Sequence, residues 1–227
     1  MEIKAKNNDI FPAEVQELLQ MLYSVGFFED SMLIGSWVMP LYQELLGIKY
    51  ILRTLDIDFA VKLVRTSRIR QADIEQILIA RGYLPVMSET GIQKFTREIF
   101  TIEFITHRRG GRAEEAVSIK KWNLTACPLP FVDVLLGFSF IIDFGKYKIR
   151  APLPEAFFVH KLITAQRRPG RGKREKDLEQ CAIIADKLDA VRLKAVIGSM
   201  RLSKQTRKTM KTSCETIDFP PHKLWLS

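Results

Sequence analysis

The segment Thr54-Leu55-Asp56-Ile57-Asp58-Phe59-Ala60-Val61 restricts the fold of this chain more than any other. Alternation of acidic and large apolar side chains suits an extended strand, because residues two apart share a face and neighbours oppose one another. Asp56 and Asp58 then project to one side, about 6.6 Å apart at ~3.3 Å per residue. Leu55, Ile57 and Phe59 point the other way, into a core. Two carboxylates beside an apolar core are costly unless a cation pairs with them or water covers them. A surface strand carrying two solvated acids satisfies the same pattern.

A second acid-bearing strand narrows the choice. In Thr101-Ile102-Glu103-Phe104-Ile105, Glu103 is the one acid in another alternating apolar run. If the two strands are neighbours, three carboxylates converge. That is enough for two metal ions ~3.5–4 Å apart, as used for in-line displacement at phosphorus. Mg²⁺ suits such a set, since it prefers carboxylate oxygens together with substrate phosphates. Upstream, Ser31 to Ile34 reads as a short strand closing on Gly35-Ser36, ahead of a helix from Trp37 to Leu46 that stops at Gly47. A small turn at a helix start offers backbone N–H groups and a positive dipole end to a phosphate. Gly35 lets the backbone approach an anion, and the Ser36 hydroxyl can donate to a phosphate oxygen. A glycine followed by an N-capping serine also occurs with no ligand.

Around this order lie a helix within Phe11 to Phe28 ending near Gly26 and a helix from Gln71 to Arg81 ended by Gly82. Strands are expected over Tyr83 to Met87, Gln93 to Arg97 and Phe100 to Thr106, with turns at Glu89-Thr90-Gly91 and Arg97-Glu98. His107 to Arg112 forms a basic glycine loop, and Val132 to Ile149 reads as β structure from its Phe, Ile and Val content. Composition shifts at Pro152-Leu153-Pro154, after which four helices are expected: Glu155 to Gln166, Glu175 to Leu188, Ala190 to Met200 and Ser203 to Glu215. The expectation is an α+β chain, with an α/β domain over 1–152 and a helical domain over 153–227.

Composition trims the function classes. The 227 residues are 47% hydrophobic and 27% charged, which is ordinary for a globular protein and unlike a disordered one. The polar start MEIKAKNND shows no secretory signal, and the most apolar stretch, Phe131 to Phe144, is interrupted by Asp133 and Asp143. It falls short of the ~20 apolar residues of a membrane span, so a cytoplasmic protein is expected. Cys127, Cys181 and Cys214 are scattered singly, and His107, His160 and His222 are dispersed. Neither a zinc site nor a disulfide framework follows. Trp37, Trp122 and Trp225 read as packing residues rather than base-stacking platforms. The net charge of +9, from 35 Lys and Arg against 26 Asp and Glu, favours polyanionic partners: a nucleoside triphosphate, nucleic acid, or both. Much of the excess sits in Arg167-Arg168-Pro169-Gly170-Arg171-Gly172-Lys173-Arg174, read as a mobile loop able to close over phosphates. Lys161 could neutralise a triphosphate or lie on a solvated helix face, and Lys176 with Asp177 fits an ordinary surface pair.

Leu33-Ile34-Gly35-Ser36-Trp37, followed by Thr54-Leu55-Asp56-Ile57-Asp58-Phe59, resembles the nucleotidyltransferase superfamily related to DNA polymerase β. The long helix before the acids brings it nearest to poorly characterised bacterial families of that fold and to the abortive-infection type. Ala151-Pro152-Leu153-Pro154-Glu155, His160-Lys161-Leu162, Arg167 and Lys176-Asp177-Leu178 look like the helical segment that follows in them. The resemblance implies a mixed sheet with flanking helices, then a C-terminal helical domain. It also implies transfer of a nucleoside monophosphate from an NTP such as ATP, with two Mg²⁺ ions. Carried over, Asp56, Asp58 and Glu103 would be catalytic and metal-binding. Gly35, Ser36, Lys161, Arg167 and Lys176 would bind nucleotide, and RNA, a protein or a small molecule would be the acceptor. The chain departs from the pattern in having Glu at the third acid and Trp37 after Ser36. A binding module without catalysis, as half of a toxin–antitoxin pair, is the alternative.

Overall fold

The computed structural model describes residues 1–63, 71–89, 91–108 and 115–224. Residue 90 of the expected turn, residues 109–112 of the basic glycine loop and Trp225 lie outside them. The strands are β1 (Glu2–Lys4), β2 (Met32–Ile34), β3 (Asp56–Val61), β4 (Leu84–Met87), β5 (Gln93–Arg97), β6 (Phe100–His107), β7 (Val117–Ile119), β8 (Leu124–Leu129), β9 (Ser139–Asp143) and β10 (Lys148–Pro152). The helices are α1 (Ala13–Ser24), α2 (Met39–Leu46), α3 (Ile74–Ala80), α4 (Val132–Gly137), α5 (Pro154–Ala165), α6 (Arg171–Ile184), α7 (Ala190–Gly198) and α8 (Lys204–Thr216). Two compact units result: residues 1–41 with 52–152, and residues 42–51 with 153–227. The chain enters the second unit within α2, so residues 42–51 group with the C-terminal helices.

The first unit is built on a mixed sheet in the order β2-β3-β6-β5-β4. β3 and β6 run parallel at its centre, with β2 antiparallel to β3 and β5 antiparallel to β6. The second edge of β6 is shared, with β5 covering Phe100–Glu103 and β8 covering Ile105–His107. β7 and β8 extend the sheet, although no strand was expected there. A second, three-stranded sheet has the order β1-β9-β10.

The alternation read from the sequence explains the burial from Asp56 onward; Leu55, expected in the core, precedes β3 and is 49% exposed. Ile57, Phe59, Ile102 and Phe104 are buried, whereas Asp56, Asp58, Thr101 and Glu103 between them are half-buried. Phe59 and Phe104 stack at 5.8 Å, and Phe27 meets both edge-on at 5.6 and 6.0 Å. Trp122 lies 5.4 Å from Phe27, and Trp37 packs on Phe11 and Phe100 at 6.2 and 6.0 Å. Both tryptophans belong to the core, each such ring contributing about 1.5–3 kcal/mol through burial. At the far border, β4 exposes every residue, including Leu84, Val86 and Met87.

The stretch Val132 to Ile149 is not wholly β. It opens with α4, whose Val132, Val134 and Leu135 are buried at helical spacing before Gly137 and the strands β9 and β10. β-favouring residue types concealed a short helix whose period is 3.6.

In the second unit α5 is buried along nearly its whole length, and α6, α7 and α8 pack on it. Tyr42 meets Phe157 edge-on at 5.4 Å, Phe158 meets Phe219 at 4.9 Å, and Ser213 Oγ donates to the Leu162 carbonyl at 2.7 Å. α6 begins at Arg171, a turn earlier than expected, so Arg171 to Arg174 are helical rather than part of a loop. Arg and Lys are good helix formers, and lengthening an established helix by one turn is inexpensive despite repulsion at its N-terminus. Arg171 also pairs with Glu175 at 2.7 Å.

Among the described residues, no helix is long and apolar enough to cross a membrane. Cys181 and Cys214 are buried, Cys127 is half-buried, and none of the three forms a disulfide. Burial raises the Cys181 thiol and pushes Cys214 to about 12, far from the reactive range.

Candidate functional site

Two adjacent strands bring Asp56, Asp58 and Glu103 onto one face. The parallel pairing of β3 with β6 sets Asp58 opposite Glu103 and Asp56 opposite Thr101. Paired residues on neighbouring strands share a face, so Asp58 and Glu103 are side by side with Asp56 one pleat away.

The glycine turn meets the same carboxylates. β2 pairs with β3 so that Ile34 faces Asp58, and the chain then turns at Gly35, whose φ is +68°. A Cβ at position 35 would fall 2.1 Å from Asp58 Oδ2. Glycine is therefore required twice, by a left-handed backbone and by a carboxylate lying against it. Ser36 follows and is buried. The turn is a four-residue 3₁₀ segment, Gly35–Val38, and the α-helix proper begins at Met39 with Pro40 in its first turn. The expected helix from Trp37 thus starts two residues later, because the tighter turn carries the chain away from β2.

A residue that the sequence reading missed completes the face. Antiparallel pairing of β5 and β6 sets Lys94 opposite Glu103, and Lys94 Nζ lies 2.5 Å from Glu103 Oε1. Burial alone would lower the Lys94 ammonium. The hydrogen bond to Glu103 and the charges of Glu103, Asp56 and Asp58 outweigh it and hold the group above its ordinary value. All three carboxylates thus act on one cation. The signal was present in the hairpin: Arg97 and Phe100 flank the tight Glu98-Ile99 turn, and counting three places outward from the turn along each strand reaches Lys94 and Glu103.

The donor chemistry fits Mg²⁺, since three carboxylates on one face, already drawing in an ammonium, provide hard oxygen ligands of the right charge. Among the described residues, no three His, Cys, Asp or Glu side chains are grouped to hold a metal ion.

The second unit places its expected nucleotide-binding residues otherwise. Lys161 is 5% exposed and its ammonium bonds to Asp177, itself 1% exposed. Arg168 Nε holds the other oxygen, Oδ2, at 3.0 Å. Lys161 is therefore committed to a carboxylate rather than presented to a phosphate, and Asp177 is a buried ion partner rather than a surface one. Burial would raise the Asp177 carboxyl, but the charges of Lys161 and Arg168 and the hydrogen bonds they donate hold it below the usual range. Next to it, burial and the Lys161 charge lower His160 to about 3, and its Nε2 is buried without a hydrogen-bond partner. Arg167 is exposed after α5, and Lys176 is half-buried on α6.

A family model described as nucleotidyltransferase matches residues 13–201, which takes in the turn, all three acids, Lys94 and the α5–α6 segment. The chain belongs to this nucleotidyltransferase family. Among solved structures, it is similar to an antigenic nucleotidyltransferase-like protein from Paracoccidioides brasiliensis. Identity is 13%, coverage is 90% of this chain and 87% of that one, and the TM-score is 0.45. None of the curated proteins compared with the chain matches it.

Proposed function

We propose that this chain transfers a nucleoside monophosphate from an NTP, ATP among the candidates, to an acceptor hydroxyl, with the acids of β3 and β6 as its Mg²⁺ ligands. One observation carries the reading: Asp58 stands in register with Glu103 while its carboxylate lies against the Gly35 turn. Carboxylates that hold a cation and a turn that admits a phosphate are what transfer at phosphorus needs within one small volume.

Asp56, Asp58 and Glu103 would hold the metal. When bound, Mg²⁺ would supply positive charge for the reacting phosphate and for the pyrophosphate that leaves. The remaining work falls to the chain itself. Gly35 allows the triphosphate near the backbone, and the Ser36 hydroxyl donates to a phosphate oxygen. The rigid β3–β6 pair keeps the acids in place while the acceptor hydroxyl gives its proton to water, its oxygen bonds to the α-phosphorus and the bond to pyrophosphate breaks. Oriented, preorganised charge of this kind is the main source of rate in phosphoryl chemistry. The reading draws on the first unit alone; Lys161, Arg167 and Lys176 enter none of its steps. RNA and proteins are the acceptor classes to screen, the net charge of +9 favouring a polyanion.

Isothermal titration of ATP, GTP, CTP and UTP, with and without Mg²⁺, tests it on the wild type and on Asp56→Ala/Asp58→Ala. Saturable binding that needs the metal and vanishes in the double variant is expected. Absence of binding to every NTP would overturn the transferase reading. It would favour a module that holds nucleic acid or a protein partner, as in a toxin–antitoxin pair, which a steep salt dependence of RNA binding would mark.

A further inference from the structure

Asp58, Glu103 and Lys94 form one row across three adjacent strands, fixed by two registers: Asp58 with Glu103, and Glu103 with Lys94. Strands lie ~4.8 Å apart, so neighbours in such a row touch. At the end of the row Lys94 bonds to its neighbour Glu103 at 2.5 Å, with Asp58 one strand further on. Lys94 keeps 40% of its side chain exposed and Glu103 keeps 22%, so the pair is open to solvent and able to part. Lys94 thus places a positive charge at the end of the Asp58–Glu103 row, of the sign a divalent ion would bring.

We propose that Lys94 is a built-in cation of the carboxylate site, holding Glu103 so that the nucleotide-free protein binds one divalent ion, at Asp56 and Asp58, and takes a second only after Lys94 lets go. The inference rests on those acids being the metal site of the proposed transfer. A triphosphate supplies the release, because its phosphate oxygens offer the ammonium a charge-assisted partner in place of Glu103. The site then passes to its fully loaded form only with substrate present. Lys94 is a positioning residue for Glu103, acting through that carboxylate.

Mn²⁺ binding to the full chain without nucleotide tests this, with free Mn²⁺ followed by electron paramagnetic resonance. The wild type, Lys94→Met, Lys94→Arg and Asp58→Asn are compared, each checked for folding by circular dichroism. The wild type should bind one Mn²⁺. Lys94→Met should bind two, or bind the first at least about tenfold more tightly, which corresponds to ~1.4 kcal/mol. Lys94→Arg, which keeps the charge, should match the wild type. Lys94→Gln replaces Lys94→Met if the latter fails to fold. Equal binding by wild type and Lys94→Met, with loss in Asp58→Asn, overturns the role of Lys94 and leaves the metal site standing. No Mn²⁺ bound by either wild type or Lys94→Met overturns both.

Discussion

Two of the molecule's lysine–carboxylate pairs differ in kind. Lys161 and Asp177 have side chains 6% and 2% exposed, and both Asp177 oxygens are satisfied, one by Lys161 and the other by Arg168. Lys94 and Glu103 are 40% and 22% exposed, and the cation there is outnumbered by acids. A buried pair with every oxygen occupied has nothing left to offer a ligand; breaking it strands a charge out of water. A half-open pair with surplus negative charge can exchange partners at small cost. Burial and charge balance therefore separate an internal brace from a reactive site.

The largest expected effect tests the brace. Asp177→Ala strands the Lys161 ammonium and should cost about 3–5 kcal/mol in urea unfolding. A loss below about 1 kcal/mol would erase the contrast between the two pairs. Acid provides the next. His160 has a folded value of about 3, below its unfolded one, so the unfolded chain takes up that proton first. Its contribution is complete above about pH 6.5 and is lost as pH falls toward 3, with a slope of up to about 1.4 kcal/mol per pH unit. Asp177, also lowered, adds a loss at the acid end of that range. His160→Phe should flatten the stability profile between about pH 6.5 and 4, measured by urea midpoints at each pH.

Gly35→Ala sharpens the other side of the comparison. The left-handed backbone alone costs about 1–2 kcal/mol, and displacement of Asp58 should weaken Mg²⁺-ATP binding at least about tenfold by titration calorimetry. The smallest effect falls on Lys94→Met, whose folding stability should stay within about 1 kcal/mol of the wild type because the pair is half-open. A loss as large as that of Asp177→Ala would make Lys94 a second brace.

The acid face was legible because alternation fixes which side chains share a side, and the two strands proved to be parallel neighbours. Gly35 was legible as a turn, although its contact with Asp58 depends on the β2–β3 register, which a three-residue strand hardly announces. Lys94 escaped because a lone lysine on a short strand belongs to no motif, even though the hairpin register was countable. Asp177 was misjudged because Lys, Glu and Asp around it look solvated, and its burial depends on how α6 turns toward α5. The strands β7 and β8 contain Ser, Thr, Pro and Cys, with short alternation that matched no strong period. α4 was hidden by residue types that favour strands.

The border strand β4 bears on how the protein behaves in a tube. Leu84, Val86 and Met87 sit on an outermost strand with their side chains in water, and a strand in that position can recruit the same strand of another copy. Pro85, between them, has no N–H to give such a ladder and interrupts its hydrogen bonding. Replacing Pro85 with an ordinary residue should shorten the shelf life of concentrated samples, visible as rising light scattering, well before it changes anything the carboxylates do.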